Sequence, residues 1–343
     1  MLDDLKAIHT KDAQDALGTA EKQVQQLLLK ISVQGRVAFS DVANVVFVGF
    51  GDMAAAASLA QAWPDFSQPS EILNGYELPS YANHDTLVIV LDNTGDPGML
   101  DVLDAAGACD AQVAVISPGN ALWRSAEAHD YPRVLLPPNV TRYGMVYAYR
   151  ALLEIMAVAD IISAEVVATG LDTAANNLSQ ATAQWRPDVS TSQNAAKQLA
   201  QELMGKSVAV YAGPKMYPAA SYWKNAVNQN AKQIAWSRCF PDASHTDLAG
   251  WSKQPTGKPY AVIELHSPLE HIRVQKDFAV NARLLSGMRP EAHVIEVQGT
   301  TIVEQLSWAV AFGDFVTLYL ALLQGLNPST HDLLEKYKKE LEL

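Results

Sequence analysis

Residues 46–63 read VFVGFGDMAAAASLAQAW, and residues 208–225 read VAVYAGPKMYPAASYWKN. Each stretch begins with a continuous apolar run, passes through a glycine (Gly51 or Gly213), and continues into a segment with Met, Ala and Ser residues and a Trp near its end. A run that is apolar on both faces and turns directly into a helix is typical of a buried parallel strand. The two stretches therefore predict two copies of one α/β unit.

Further apolar runs follow the same pattern in the first half of the chain. Together with the first run, they cover residues 44–50, 86–91, 112–116 and 133–136. Strands of this kind, separated by helices, form a parallel sheet with helices on both faces. Ligands of such sheets bind at the carboxyl ends of the strands, which are here residues 49–52, 92–98 and 117–120.

The second half repeats the pattern and defines the predicted domains. Its predicted strands and long helix cover residues 206–212, 260–266, 293–297 and 302–324. Apolar residues at intervals of three and four predict one amphipathic helix at residues 11–31 and a long helical region from residue 145 to residue 183. The prediction is an N-terminal helix plus first α/β domain at 1–183, a polar linker at 184–195, and a second domain with C-terminal helices at 196–343.

Composition excludes several classes of protein. The chain has 343 residues, of which 49% are apolar and 18% charged, as in ordinary globular proteins of about two domains. Its net charge is -12 with no block of Lys or Arg, which argues against a nucleic-acid or anionic-membrane partner. Cys109 and Cys239 are far apart and lack metal-ligand spacing, so we expect reduced thiols, no metal and no cofactor. Neither a secretory leader nor an apolar run of about 18 residues is found, which predicts a cytoplasmic protein.

Two strand-end loops have two interpretations each. Gly49-Phe50-Gly51 fits a nucleotide-binding loop, but Ala54 stands where a third glycine is needed, so a tight turn beside a small ligand fits equally well. The loop at residues 92–98, DNTGDPG, occupies a helix N-terminus, where an anion gains ~0.3 to 1 kcal/mol. A carboxylate ~4 Å from a phosphate charge costs ~1 to 4 kcal/mol, so Asp92 and Asp96 favour an acidic helix cap at least as much as a phosphate cradle.

A third candidate region is the polar stretch at residues 222–250. It combines lysines and amides with His245, which follows a proline in a predicted turn between Asp242 and Asp247. Neighbouring carboxylates favour a protonated imidazole, which suits a general acid. Arg142, near the predicted strand ends, is a candidate anion ligand. A solvated helix and loop with surface side chains is the alternative for all of them.

These residues resemble the bifunctional phosphoglucose/phosphomannose isomerases, which have two sugar isomerase (SIS) domains. The family pattern R-W-K, N-E-N-x-K and P-E-x-N-H-N-E-x-x-G is similar to residues 222–224, 228–232 and 241–250 at matching spacing. The family's G-D-Y-V-S-V-Y-L-A and R-x-Y-x-L-P are similar to residues 313–321 and 75–79. The resemblance spans nearly the whole chain and implies two SIS-type domains, each a parallel sheet flanked by helices.

The resemblance also implies roles for individual residues. In the family, the glutamate of N-E-N is the base that moves a proton between C1 and C2 of the sugar through an enediol; its position here is Gln229. An amide cannot accept that proton. His245 matches the histidine that helps to open the sugar ring, and Arg142 falls where an arginine steadies the enediolate. Lys338 or Lys336 matches a C-terminal lysine of the family.

The family's phosphate loops are altered in this chain. G-M-G-G-S-G is replaced by residues 49–54, GFGDMA, and S-Y-S-G-N-T by residues 92–97, DNTGDP. The candidate substrate-binding residues are Gly49, Gly51, Asp52, Thr94, Gly95, Ser117 and Lys224.

Two functions are therefore predicted. One is an aldose-ketose isomerase acting on glucose 6-phosphate, mannose 6-phosphate or a less negatively charged sugar, with Asp242 or Asp247 replacing the missing base. The other is a catalytically inactive SIS protein that binds a sugar and regulates or scaffolds a protein partner. By resemblance, we expect a homodimer.

Overall fold

A computed structural model describes the chain except for residues 138–143, 254–258 and 342–343, and except for the side chain of Lys338. The described strands are β1 (Asn44–Val48), β2 (Ser70–Leu73), β3 (Thr86–Leu91), β4 (Gln112–Ser117), β5 (Arg133–Leu135), β6 (Ser207–Ala212), β7 (Ala235–Cys239), β8 (Tyr260–His266) and β9 (Ala292–Glu296). The helices up to the middle of the chain are α1 (Leu5–Lys11), α2 (Ala16–Glu21), α3 (Gln23–Leu27), α4 (Asp52–Ala62), α5 (Gly98–Ala108), α6 (Ala121–Ala128), α7 (Met145–Val158) and α8 (Ala164–Ala183). The later helices are α9 (Ala195–Leu203), α10 (Tyr217–Asn230), α11 (Asp242–Trp251), α12 (Ile272–Leu284), α13 (Ile302–Leu323) and α14 (Asp332–Glu340).

The strands form two separate parallel sheets. Sheet A has the order β2-β1-β3-β4-β5, and sheet B has the order β7-β6-β8-β9. Every residue of β3 is buried, as expected for a central strand that is covered by helices on both faces. The predicted α/β class with two parallel-sheet domains is therefore confirmed.

The chain divides into two compact units, which differ from the predicted domains at both ends of the chain. The sheet-A unit comprises Gln25–Asp172 and His331–Leu343, and the sheet-B unit comprises Met1–Val24 and Thr173–Thr330. The first 24 residues thus belong with sheet B, whereas the sequence grouped them with the first domain.

Buried polar contacts explain the place of the N-terminal segment. The side chain of Lys197 is fully buried, and its Nζ donates hydrogen bonds to the carbonyl oxygens of Leu2, Pro187 and Val189 at 2.7, 2.8 and 2.7 Å. Gln23 donates to the buried carboxylate of Asp314 on α13. Buried polar groups must find partners, and Leu2 and Gln23 from the N-terminal segment supply two of them.

Two predicted helices are interrupted in the structure. The predicted helix at 11–31 is wrong, because α1, α2 and α3 are separate short helices. Asp12 accepts the backbone N–H groups of Ala16 and Leu17, and Asp15 has a φ of 54° and caps α2. The helical region at 145–183 divides into α7 and α8, because Asp160 adopts a φ of 56° between them.

Helix α13 is the core element of the sheet-B unit. Trp223 donates from Nε1 to the carbonyl of Ala309 at 2.7 Å, and a Cβ at Gly313 would lie 2.5 Å from the same nitrogen. Tyr222 donates to Asp314 at 2.7 Å. The polar stretch and the motif at 313–321 therefore fit each other as packing partners.

The same helix corrects a sequence prediction about membrane length. By length and composition alone α13 could cross a membrane, with a mean hydropathy of 1.7, although no such run was predicted. Within the described protein, 89% of its apolar window is buried. Its hydrophobicity is that of a helix in a protein core.

Glu304, in the first turn of α13, provides a test of acid sensitivity. Burial by itself raises the pKa of this carboxyl group, but hydrogen bonds from Thr300, Thr301 and Asn177 outweigh it and lower the pKa from 4.5 to about 2. Because the pKa is lower in the folded protein, the carboxylate stabilises the fold above pH 4.5, and this contribution is lost as the pH falls toward 2. We expect Glu304→Gln, which keeps the capping-box geometry, to reduce the loss of stability on acidification.

Urea unfolding of the sheet-B unit within the full chain, followed from neutral pH to pH 2, measures this effect. Glu165→Gln is the control variant, because Glu165 is an exposed glutamate in the first turn of another helix, α8. The same steep acid dependence in Glu304→Gln and in the unaltered protein would contradict the prediction.

Candidate functional site

The strand order of sheet A places a ligand crevice between β1 and β3. In this order β2 lies on one side of β1 and β3 lies on the other, and ligands of such sheets bind beyond the carboxyl ends of the two strands at this switch point. The loops that follow these strands are residues 49–52 and 92–98, which the sequence predicted as binding loops. The prediction of their place in the fold is therefore confirmed.

The loop after β1 is a close-packed turn. A Cβ at Gly49 would lie 3.0 Å from Cβ of Met53 and 3.1 Å from the carbonyl oxygen of Leu91. Gly51 has a φ of 56°, which favours glycine, and no atom lies within 4 Å of its Cβ position. Asp52 occupies the first turn of α4. The glycines thus shape a turn with an open face, and the turn carries a carboxylate.

The loop after β3 is organised around the carboxylate of Asp92. This side chain is only 3% exposed. Its oxygens accept hydrogen bonds from the backbone N–H of Thr94 at 2.8 Å, the hydroxyl of Thr94 at 2.9 Å, and the backbone N–H of Gly95 at 2.9 Å. Asn120 donates from Nδ2 at 2.6 Å. The donors that the sequence offered to a substrate are bound by an acid of the same loop.

The N-terminus of α5 is also occupied by a carboxylate. Asp96 accepts the backbone N–H of Gly98 at 2.9 Å and the hydroxyl of Tyr76 at 2.7 Å. The hydrogen bond to Asp96, together with burial, raises the pKa of Tyr76 to about 12. Of the two interpretations of residues 92–98, the described contacts match the acidic helix cap.

Ser117 at the end of β4 is the polar group in this region without a partner. Its Oγ is fully buried and has no hydrogen-bond partner among the described residues. The neighbouring Asn120 caps α6 by accepting the backbone N–H of Trp123 at 3.2 Å. Asn120 was not singled out from the sequence, although it lies in the predicted strand-end segment 117–120.

At the corresponding position of sheet B, after β6 and β8, an acid also binds backbone donors. Glu270, which follows β8, accepts the backbone N–H groups of Lys215 and Met216 at 2.9 and 3.1 Å, just ahead of α10. A Cβ at Gly213 would lie 2.4 Å from Cδ of Glu270. Burial raises the pKa of this glutamate despite the two backbone donors. No sequence pattern had indicated Glu270.

The polar residues of the stretch 228–232 serve mainly to anchor the end of α10. Asn228 bonds the backbone of Ala235 at the start of β7, and Asn230 donates to the hydroxyl of Thr317 at 2.7 Å. Lys232 donates from Nζ to the carbonyl oxygens of Asn327 and Pro328, both at 3.3 Å. Gln229, between them, is half-buried on α10, as is Lys224.

His245 lies on α11, and the predicted turn is therefore wrong. Its side chain is exposed. The two flanking acids pair with Arg238 on β7, at 3.1 Å for Asp242 and 3.3 Å for Asp247. Asp247 also accepts the hydroxyl of Tyr211 at 2.8 Å. Carboxylates held by a guanidinium group are poor candidates for the missing base.

The structure places Gln229 and His245 near opposite ends of the strands of sheet B. Gln229 is near the end of α10, next to the amino end of β7, whereas His245 is in α11, which follows the carboxyl end of that strand. Five residues of β7 span about 13 Å at ~3.3 Å per step. Of the other predicted catalytic residues, Arg142 lies outside the described residues, and Lys338 lies on α14 with its side chain outside the described part of the chain.

Comparison with known proteins shows similarity to phosphosugar isomerases. Residues 192–341 match the family model of the bacterial phospho-glucose isomerase C-terminal SIS domain. The bifunctional phosphoglucose/phosphomannose isomerase of Aquifex aeolicus is 22% identical over 308 residues, which cover 87% of this chain and 90% of that protein. Over most of its length the chain is therefore similar to bifunctional isomerases of this kind, and the family model matches its second half. The enzyme of the same name from Caldicellulosiruptor bescii is 25% identical over 317 residues, covering 90% of this chain and 93% of its own.

Solved structures agree on the SIS fold. A glucose-6-phosphate isomerase like protein from Thermus thermophilus has a TM-score of 0.67 at 20% identity and covers 98% of both chains. The C-terminal domain of glucosamine-fructose-6-phosphate aminotransferase from Francisella tularensis has a TM-score of 0.67 at 13% identity, covering 95% of this chain and 97% of its own. The comparisons confirm the family resemblance that the sequence predicts. They also confirm the two-domain α/β fold.

Proposed function

We propose that this protein binds a sugar at the carboxyl edge of sheet A and isomerises it slowly or not at all. The observation that supports this most directly is the carboxylate of Asp92, which holds the backbone and hydroxyl donors of Thr94, the N–H of Gly95 and the amide of Asn120. A phosphate group would have to compete with this carboxylate for the same donors and accept its repulsion. Sugars with less negative charge do not meet this obstacle.

The remaining polar groups at this edge suit hydroxyl groups. Asp52, half-buried in the first turn of α4, can accept hydrogen bonds from sugar hydroxyls. Gly51 leaves open space above the turn. We assign Gly49, Gly51, Asp52, Thr94, Gly95 and Ser117 to this sugar site and retain Lys224, His245, Gln229, Arg142 and Lys338 as proposed site residues from the family resemblance.

Isothermal titration calorimetry of the purified protein tests the proposal. We expect neutral glucose, mannose or fructose to bind at least about fivefold more tightly than the corresponding 6-phosphates, because the repulsion is worth at least ~1 kcal/mol. Inorganic phosphate is the control for the anion alone. Tighter binding of the phosphate esters than of the neutral sugars would overturn the proposed ligand class.

We also propose a homodimer in the cytoplasm. The family resemblance predicts a dimer with its active site near the subunit interface. In support, Gln229 and His245 lie near opposite ends of the strands of sheet B, so that one sheet-B unit alone does not bring them to one sugar. Cys109 and Cys239 are free thiols, as expected in a reducing compartment. Sedimentation equilibrium of the purified protein measures whether it is a dimer.

A further inference from the structure

Among the described residues, sheet B has no strand at the edge that corresponds to β5 of sheet A. In sheet A, β4 is followed by α6 and then by β5, which pairs in parallel with β4 from Val115↔Arg133 to Ser117↔Leu135. In sheet B, β9 is followed directly by α13, and β9 is the last strand of the described sheet. The repeat within the chain therefore shows what covers this edge in the other unit, namely a parallel strand.

The backbone of Val294 faces the open edge of β9. The N–H of Val297, just beyond β9, donates to the carbonyl of His266 at the end of β8, at 3.0 Å. Backbone groups alternate in direction along a strand, so those of residues 293 and 295 also point to β8 and those of 294 point away from it. The side chain of Val294 is 49% exposed. Such an edge is a ready template for another strand.

Open space borders β9 on both faces. On one face, a groove of about 910 Å³ lies between β9, α8, α9 and α13, with the rings of Trp185, Trp308 and Phe312 in its wall. On the other face, a cavity of about 510 Å³ lies between β9, the end of β8 and α12. Val294 and Glu296 border both spaces. This is the arrangement expected where a covering strand and its side chains are missing.

The walls of the larger groove suit a polypeptide with positive charge. Amide side chains that both donate and accept hydrogen bonds line it, including those of Gln180, Gln184 and Gln198. Its charged residues are Glu202 and Glu296, and none of its described lining residues is a Lys or Arg. Burial, with a contribution from Lys206, lowers the pKa of His293, so this side chain does not offset the acids near pH 7.

We infer that the outer edge of β9 binds an extended basic segment of a partner polypeptide, which adds to sheet B as a fifth strand. The backbone of Val294 supplies hydrogen bonds, the aromatic wall receives alternate apolar side chains, and Glu202 and Glu296 receive Lys or Arg. The inference concerns a surface separate from the proposed sugar site and does not depend on it.

Selection of a phage-displayed library of random heptapeptides against the full-length protein tests the inference. We expect enrichment of sequences that alternate apolar residues with Lys or Arg. A synthetic peptide of the enriched sequence, followed by fluorescence anisotropy, should bind Val294→Pro at least about tenfold more weakly, because this change removes the outward N–H and obstructs the incoming strand. Proline is tolerated in an edge strand where the N–H faces solvent, so the variant should fold.

Matched variants separate backbone pairing from other effects. Val294→Thr keeps the N–H and a β-branched side chain and should bind the peptide as the unaltered protein does. Slower amide hydrogen exchange at residues 292–296 on addition of the peptide should accompany binding. Replacement of Glu202 and Glu296 by Gln should reduce the affinity for the basic peptide.

Three results would overturn the inference. One is the absence of any enriched sequence, and another is an enriched peptide that binds Val294→Pro as well as Val294→Thr. The third is a dimer of the unaltered protein that Val294→Pro converts to a monomer in sedimentation, since the occupant of the edge would then be a second copy of this chain.

Discussion

Gln229→Glu is expected to raise the rate of fructose 6-phosphate isomerisation by at least about 100-fold over the unaltered protein. A positioned general base contributes typically ~100- to 10,000-fold, and an amide cannot supply it. Gln229 is half-buried in the last turn of α10. The negative end of a helix disfavours a carboxylate there, which moves the introduced group toward the higher pKa that a general base needs.

A coupled assay that detects glucose 6-phosphate measures this gain. Asn225→Asp is the matched control, because residue 225 lies one turn earlier on the same face of α10 and is also half-buried. It introduces the same charge at a position that does not match the base glutamate of the family, so we expect no gain in rate from it. If the unaltered protein already works at ordinary enzyme rates, the argument from Gln229 is wrong. If both variants remain inactive while neutral sugars bind, the loops around the sugar limit the reaction.

Sequence patterns predicted the strands of this protein because burial on both faces leaves a continuous apolar run. The central strands of both sheets follow that rule, as in TLVIVL at β3, whereas the edge strand β2 (SEIL) is only partly buried and is not predicted from the sequence. Strand β7 does not follow the rule either, because it is an edge strand whose sequence, AWSRC, is mostly half-buried. The sequence therefore assigns β7 to the polar stretch and predicts a turn where the helix of His245 follows it.

The contacts within the candidate site could be predicted only in part. Position relative to the strand ends follows from topology, so the sequence correctly places Gly49, Gly51 and the loop at 92–98 just after β1 and β3. Which donor each carboxylate binds depends on backbone geometry, which residue types do not determine. The sequence predicts for Asp92 either repulsion of a phosphate or a helix cap, but it does not show that this carboxylate binds the donors of Thr94, Gly95 and Asn120. No sequence pattern indicates Glu270, because it accepts hydrogen bonds from Lys215 and Met216, which are far from it in the sequence.

Asp92→Ser is expected to tighten the binding of glucose 6-phosphate by about 5- to 1,000-fold. Removal of a carboxylate ~4 Å from the phosphate relieves ~1 to 4 kcal/mol of repulsion, depending on the local dielectric. The change also frees the N–H groups of Thr94 and Gly95, the hydroxyl of Thr94 and the amide of Asn120 to bind the phosphate. A serine at this position matches the family's S-Y-S-G-N-T loop.

The same substitution should have the opposite effect on the free protein. Buried donors that lose a charged acceptor cost about 1 to 3 kcal/mol, so the variant without ligand should melt at a lower temperature. Addition of glucose 6-phosphate should restore much of this loss, because a ligand that binds only the native state stabilises it. Thermal shift with glucose 6-phosphate and with neutral glucose therefore distinguishes a freed phosphate loop from a merely destabilised one.

Two further variants separate charge from occupancy at this loop. Asp92→Asn removes the charge but leaves a side chain of the same shape among the donors, so it should relieve repulsion without freeing all of them. Asp101→Asn, at an exposed position in the first turn of α5, removes a charge and leaves the loop intact. If Asp101→Asn tightens phosphate binding as much as Asp92→Ser does, the effect belongs to the general negative field of the protein. Asp92 would then have no special role in excluding the phosphate group.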